Sequence, residues 1–307
     1  MGYLFLTLSV LSGSIKGFFA KKISDKTVGL KGAIFTNLIR MLICMPIGLL
    51  FVLFDGAISD LRVSNVVLLT SAFAGITTGI FIVSWLLSVK RSAFTSVDAF
   101  VSLGILVPIL LSSVFYNESV SVSQILGLIL MLSAVFIMSL YNNQIKEKME
   151  LRTLLLLLAV CLSNGLTDFA YKIFYHSNVN TPASVFNFYI YVFSTITLLS
   201  VFIFLHIKTQ KNSHAPHPKE EANILINKQK SLYITIMAIF LFCNSYFKTL
   251  ATSMLLSVEV YPLSQGAAII LTLLMSAIFF KEKIKPLCII GLCILFVALL
   301  LINVIVF

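Results

Sequence analysis

Ten apolar runs, each long enough to cross a bilayer, take up most of this chain. They cover roughly 3–20, 32–54, 65–89, 93–115, 122–141, 153–173, 184–207, 231–254, 260–280 and 286–306. About 20 residues rising ~1.5 Å each span a hydrocarbon core ~30 Å thick. Within that core every backbone N–H and C=O needs a partner, and a continuous helix supplies one. The runs therefore predict an all-α integral membrane protein with ten transmembrane helices. Charge agrees: 11% of residues are charged, against about 25% in soluble chains. No basic residue precedes the first run and no small-residue cleavage site follows it, so it reads as a helix rather than a signal peptide.

Two connections are longer than the rest. Residues 142–152 separate five runs from five, which divides the chain into repeats at 1–141 and 153–307 joined by a linker. Residues 208–230, rich in Lys, Asn, His, Pro and Glu, read as a solvated polar loop. Of the 22 Lys and Arg residues, 17 fall in the loops between runs 1–2, 3–4, 5–6, 7–8 and 9–10. The positive-inside rule puts those loops in the cytoplasm and both termini outside. The net charge of +10 is thereby a topology signal and implies no nucleic-acid partner.

The halves echo each other. Leu11-Ser12 to Lys21 aligns without gaps to Leu162-Ser163 to Lys172. Phe115-Tyr116-Asn117-Glu118, followed by Gly127, matches Phe279-Phe280-Lys281-Glu282, followed by Gly291. Leu-Leu-Ser-Val recurs at 86–89 and 255–258. A unit with an odd number of crossings, placed twice in tandem, enters the membrane in opposite senses. Two five-helix inverted repeats result, an arrangement associated with alternating-access transport.

Pro108, Phe115-x-x-Glu118 and Gln124-x-x-Gly127, with the echo Tyr261-Pro262-Leu263-x-Gln265-Gly266, Phe279-x-x-Glu282 and Gly291, resemble the drug/metabolite transporter superfamily in its ten-helix EamA-like branch. Lys21 and Arg40 stand where that branch often has a Lys closing helix 1 and an Arg in helix 2. The resemblance implies a secondary transporter in which helices 1–4 and 6–9 surround a cavity and helices 5 and 10 are peripheral. Glu118 and Glu282 are expected in helix caps or turns. Many bacterial relatives keep both termini inside, whereas the charges here put them outside. Small multidrug resistance proteins place a carboxylate eight residues before the Lys that closes helix 1. Those positions are Gly13 and Asn164 here, so that proton-coupled route is not implied.

An ionisable group at membrane depth costs at least a few kcal/mol and marks a functional hypothesis. The candidate substrate-binding or gating residues are Arg40, Asp98, Asn164, Asp168, Lys248, Tyr261 and Gln265. Several share helical stripes, such as Asn164, Asp168 and Lys172, or Asn244, Lys248 and Thr252. Alternatives stay open for the charged ones. Arg40 either touches substrate or pairs with a buried carboxylate. Asp168 and Lys172 either pair along their own helix or serve coupling and gating. Asp98 is suited to capping the start of helix 4, and Glu259 is within chain reach of Lys248. Lys16, close to the basic cluster, is expected to snorkel. Gly13-x-x-x-Gly17 and Gly75-x-x-x-Gly79 suggest close helix packing.

The sequence carries no phosphate-binding loop and no Ser/His/Asp array. The cysteines, odd in number and without Cys-x-x-Cys, read as buried hydrophobes, and His214-Ala-Pro-His217 as part of the solvated loop. No catalytic residue, cofactor or metal is expected. The expected function is alternating-access transport of small organic solutes across the cell membrane, plasma or inner, by a monomer or homodimer surrounded by membrane lipid. Arg40 and Lys248 would steer an anionic group. A lipid or lipid-linked sugar flippase and a non-transporting membrane protein are the alternatives. A membrane-embedded enzyme would need clustered His, Asp and Glu at one face, which the sequence lacks.

Overall fold

The computed structural model describes residues 1–24, 29–91, 94–141, 151–177, 180–211, 228–279 and 286–303. Their helices are α1 (Gly2–Ser24), α2 (Gly29–Phe54), α3 (Asn65–Arg91), α4 (Phe94–Leu103), α5 (Leu106–Tyr116), α6 (Val122–Tyr141), α7 (Leu151–His176), α8 (Ala183–Lys211), α9 (Lys228–Thr252), α10 (Ser257–Phe279) and α11 (Pro286–Asn303). Seven segments are long and apolar enough to span a membrane, and three shorter ones, Phe100–Tyr116, Val122–Met138 and Ile289–Asn303, bring the described residues to ten.

The fourth segment corrects the sequence reading, which takes 93–115 as one helix. Pro108 has no N–H to offer Gly104 O, four residues back, and its ring crowds that carbonyl. The helix therefore stops at Leu103 and restarts at Leu106. Gly104 N turns to Phe100 O and Val101 O at 3.2 and 3.1 Å, and Gly104 O accepts from Val107 N at 3.1 Å. A Cβ on Gly165 of α7 would run into Gly104 O and Val107 Cβ, so the break is seated directly against that glycine. α5 ends at Asn117, left-handed with φ of 53°, a conformation that Asn tolerates better than most residues.

The halves interlock. α1 packs along α9 and α10, while its counterpart α7 packs along α3 and the α4–α5 pair. α2 lies against α8 and α9, and α8 lies against α2 and α3. Exchanging the halves maps this pattern onto itself, as two five-segment repeats of opposite sense require. α6 and α11 pair with each other, and the repeat-matched glycines explain how. A Cβ on Gly127 would strike Ile302 and Ala298 O, and one on Gly291 would strike Met138. The pair presents Ile125, Ile129, Phe136, Ile290 and Phe296 outward, a lipid-facing surface at the periphery. Gly75 and Gly79 likewise admit α8 closely, but Gly17 has nothing within 4 Å of a Cβ position, so the expected close packing holds for the second glycine pair and only half of the first.

One apolar cluster, with Leu6, Ile109, Met131, Tyr261 and Leu295, joins α1, α5, α6, α10 and α11. Another, with Met41, Ile82, Leu198 and Phe242, joins α2, α3, α8 and α9. Polar side chains lie between these clusters.

Candidate functional site

Asp168 is where three helices of the second half meet. Its Oδ1 receives Lys248 Nζ of α9 at 2.5 Å. Its backbone carbonyl accepts the hydroxyl of Tyr261, from α10, at 2.7 Å. The Lys248 ammonium also lies over the Tyr261 ring, 5.3 Å from the centroid, where the ring quadrupole attracts it. The salt bridge is largely enclosed, with side-chain exposure of 16% for Lys248 and 10% for Asp168. Such a pair is held by geometry and added hydrogen bonds more than by Coulomb attraction alone.

Asp168 and Lys172, one turn apart on α7, do not pair with each other. Lys172 reaches Glu118 Oε1 at 2.6 Å and donates to Leu255 O and Thr252 O at 3.0 and 3.4 Å. Thr252 ends α9 and Leu255 lies in the turn that follows it, so a cation there meets the free carbonyl at the helix end together with the helix dipole. An exposed i, i+4 pair offers only a few tenths of a kcal/mol. Glu118 in turn accepts from Ser257 N at 2.9 Å, capping α10 across the chain rather than closing its own turn. Ser257 Oγ and Ser112 Oγ lie 2.8 Å apart beside it. This knot ties α5, α7, α9 and α10 at one end of the bundle. Glu259 does not reach for Lys248. It accepts from Leu256 N at 3.2 Å and from Tyr3 OH at 3.3 Å, capping its own helix.

The broken fourth segment supplies the next contacts. Asn164 Nδ2 donates to Val101 O at 3.2 Å, and Gln265 Nε2 to Ser102 Oγ at 3.3 Å. Both bonds cross from the second repeat to the first, just before the break. α4 starts at Phe94, which puts position 98 in its second turn rather than at the cap position expected for Asp98. The side chains of Lys21, Asp98 and Thr272, and residues His214, His217 and Glu282, lie outside the described residues.

Arg40 and Lys16 differ from the other cations. Arg40 finds no carboxylate among the described residues, and its buried Nε has no hydrogen-bond partner. Cys44, Tyr191 and Lys16 are within its electrostatic reach. Lys16 does not snorkel to the basic end but faces inward, within electrostatic reach of Arg40, Lys248 and Cys44. Its nearness to Lys21 and Lys22 hid this. The legible signal was the face formed by Ser9, Ser12, Gly13 and Lys16 at i, i+3, i+4, i+7. Ser9 and Ser12 are buried, Ser9 exchanges hydrogen bonds with Asn244 at 2.7–3.0 Å, and a Cβ on Gly13 would touch Asn244.

Neutral polar side chains of α8 and α9 meet, while those of α2 do so only in part. Tyr191 OH meets Ser245 Oγ at 2.7 Å, and Asn187 Nδ2 meets Thr249 Oγ1 at 2.9 Å, but Asn37 turns back to Ala33 O on its own helix. Ser245, which sequence reasoning passed over, lies on α9 between Asn244 and Lys248. Cys44 is buried as expected, while Cys293 is exposed on the lipid-facing side of α11. Among the described residues no group of three His, Cys, Asp or Glu is arranged to hold a metal ion. The arrangement is thus a polar interior crossed by charged and hydrogen-bonding side chains from both halves.

Comparison with known proteins agrees with this architecture. A crystal structure of a protein aligns with a TM-score of 0.74 over 98% of this chain and 96% of its own, at 15% identity, a likeness of fold alone. It is one of 28 matching chains of known structure. No curated protein matches the sequence. The model of the EamA-like transporter family matches twice, once in each half, over residues 1–140 and 151–304. The chain therefore belongs to the EamA-like transporter family, and is a multi-pass membrane transporter of the drug/metabolite type.

Proposed function

We propose that this protein is a secondary transporter that moves small organic solutes across the cell membrane by alternating access, with its site between the two repeats. The observation that carries the reading is the set of polar contacts bridging the repeats at membrane depth: Asn164 to Val101 O, Gln265 to Ser102, and Asn244 to Ser9. Buried polar groups placed between two packed halves, next to a discontinuous helix, are what a midplane site needs. Asp168, Lys248 and Tyr261 line it on one side, Arg40 on another. The positive-inside rule orients the molecule with both termini and the Glu118–Lys172 knot outside, so that the knot seals the outer entrance and must open once per cycle.

Counterflow in proteoliposomes tests this. Vesicles loaded with unlabelled amino acids, organic anions, nucleosides or cationic drugs are diluted into trace label of the same compound, with a fluorescent-lipid scrambling assay alongside. Uptake of one solute class that overshoots equilibrium supports the reading. Lipid movement with no solute exchange would make the protein a flippase instead.

A further inference from the structure

We infer that the middle of the bundle binds a small organic dianion, a phosphate monoester or a short dicarboxylate, between Lys16 of α1 and Arg40 of α2. The inference rests on the transport reading and names the substrate class of the same site.

The argument is one of charge. Four cations lie in the described interior. Lys172 is neutralised by Glu118 and Lys248 by Asp168. Lys16 and Arg40 have no acidic partner among the described residues, and the groups acting on them are each other, Lys248, Cys44 and Tyr191. Both stand at one level of the bundle, where Phe19 of α1 and Ile39 and Ile43 of α2 pack against Ile234 and Met237 of α9, so two unpaired positive charges share that level. Each alone costs several kcal/mol to hold there, and their mutual repulsion adds to that. The buried Nε of Arg40, unpartnered, is a hydrogen-bond donor left open. An anion carrying two negative charges removes both costs at once. The guanidinium fork matches the paired oxygens of a carboxylate or phosphate, and the Lys ammonium adds a compact second charge.

The distribution of unpaired charge fixes the direction of the ligand. The Asp168–Lys248 pair is neutral as a whole, so the charged end of the substrate lies toward Lys16 and Arg40. The remainder meets Tyr261, Asn164 and Gln265, whose groups are neutral.

The test is thermal melting and binding of the purified full chain at pH 7.5 and constant ionic strength. The probes are succinate and phenyl phosphate, with butyrate, 1,4-butanediol and chloride as controls. Stabilisation by a ligand follows its occupancy of the folded state. At least one dianion is expected to raise the melting temperature where the controls at equal concentration do not. Which dianion does so separates carboxylate from phosphate recognition. K16Q and R40Q are each expected to weaken that binding about tenfold or more, the loss typical of a charge-assisted hydrogen bond. R40K, which keeps the charge and loses the fork, is expected to fall between.

Without ligand, R40Q is expected to melt no lower than the parent, because it removes an unpartnered charge; a structural ion pair at Arg40 would make it melt lower. The dianion assignment is overturned if butyrate, butanediol or chloride stabilises as well as the dianions, if neither dianion stabilises, or if K16Q and R40Q bind as the parent does. Counterflow of a neutral or monoanionic solute in that event leaves the transport reading standing. Failure of every solute to exchange overturns that reading as well.

Discussion

At the scale of single residues, the interior is governed by what happens when one partner of a buried pair is taken away. Asp168→Asn leaves Lys248 enclosed beside Tyr261 with its counter-charge gone. Removing one member of a buried ion pair costs about 3–5 kcal/mol, whereas removing both is often close to neutral. D168N is therefore expected to lower the melting temperature strongly, and D168N/K248Q to recover most of the loss. Equal melting of the single and double variants would mean that the pair is not enclosed. Tyr261→Phe removes only the hydroxyl that donates to Asp168 O. Its cost is expected to be about 1 kcal/mol, measured by the same melting curve.

Among elements, the broken fourth segment sets the tolerance of its neighbour. A methyl on Gly165 meets the Gly104 carbonyl, backbone that cannot swing aside, while Gly17 has open space. Gly165→Ala is expected to destabilise by about 1–3 kcal/mol through overpacking. Gly17→Ala is expected to be neutral or to stabilise by up to about 1 kcal/mol, the difference in helix propensity. Chemical or thermal unfolding of the two variants in one detergent separates them.

The sequence made the ten segments legible because spanning length is a strong, local signal, and the echo of Lys172, Glu118 and Leu255–Val258 pointed at residues that do meet. Apolar run length does not reveal the break at Gly104, since both pieces are apolar; Pro108 is the sign. The partners of Asp168, Lys172 and Lys248 come from different helices, and one-dimensional spacing can offer only neighbours on the same helix. Closeness to a basic loop in sequence points Lys16 toward the membrane surface, whereas the face it shares with Ser9 and Ser12 points it inward.

For the whole molecule, the Glu118–Lys172 knot joins four helices from both halves at one end. With Glu118 and Lys172 replaced by cysteine, in a background lacking the native thiols, a short bis-methanethiosulfonate reagent that spans the length of the salt bridge is expected to fix this end shut. Exchange should then stop on cross-linking and return on reduction. Exchange that continues with the cross-link formed would rule out opening at this end.

The reciprocal packing of the halves also bears on how the protein is made. α1 has its main partners in α9 and α10, and α3 in α7 and α8. Ribosomes add about 5–20 residues per second, so the first five segments enter the bilayer on the order of ten seconds before those surfaces are synthesised. During that interval Lys16 and Arg40 are held in lipid or in the insertion machinery by a half-protein with no core of its own. Biogenesis, more than the stability of the finished bundle, is then the stage at which this chain is most exposed to quality control, and a ribosome stalled near residue 150 would release a product fit only for degradation.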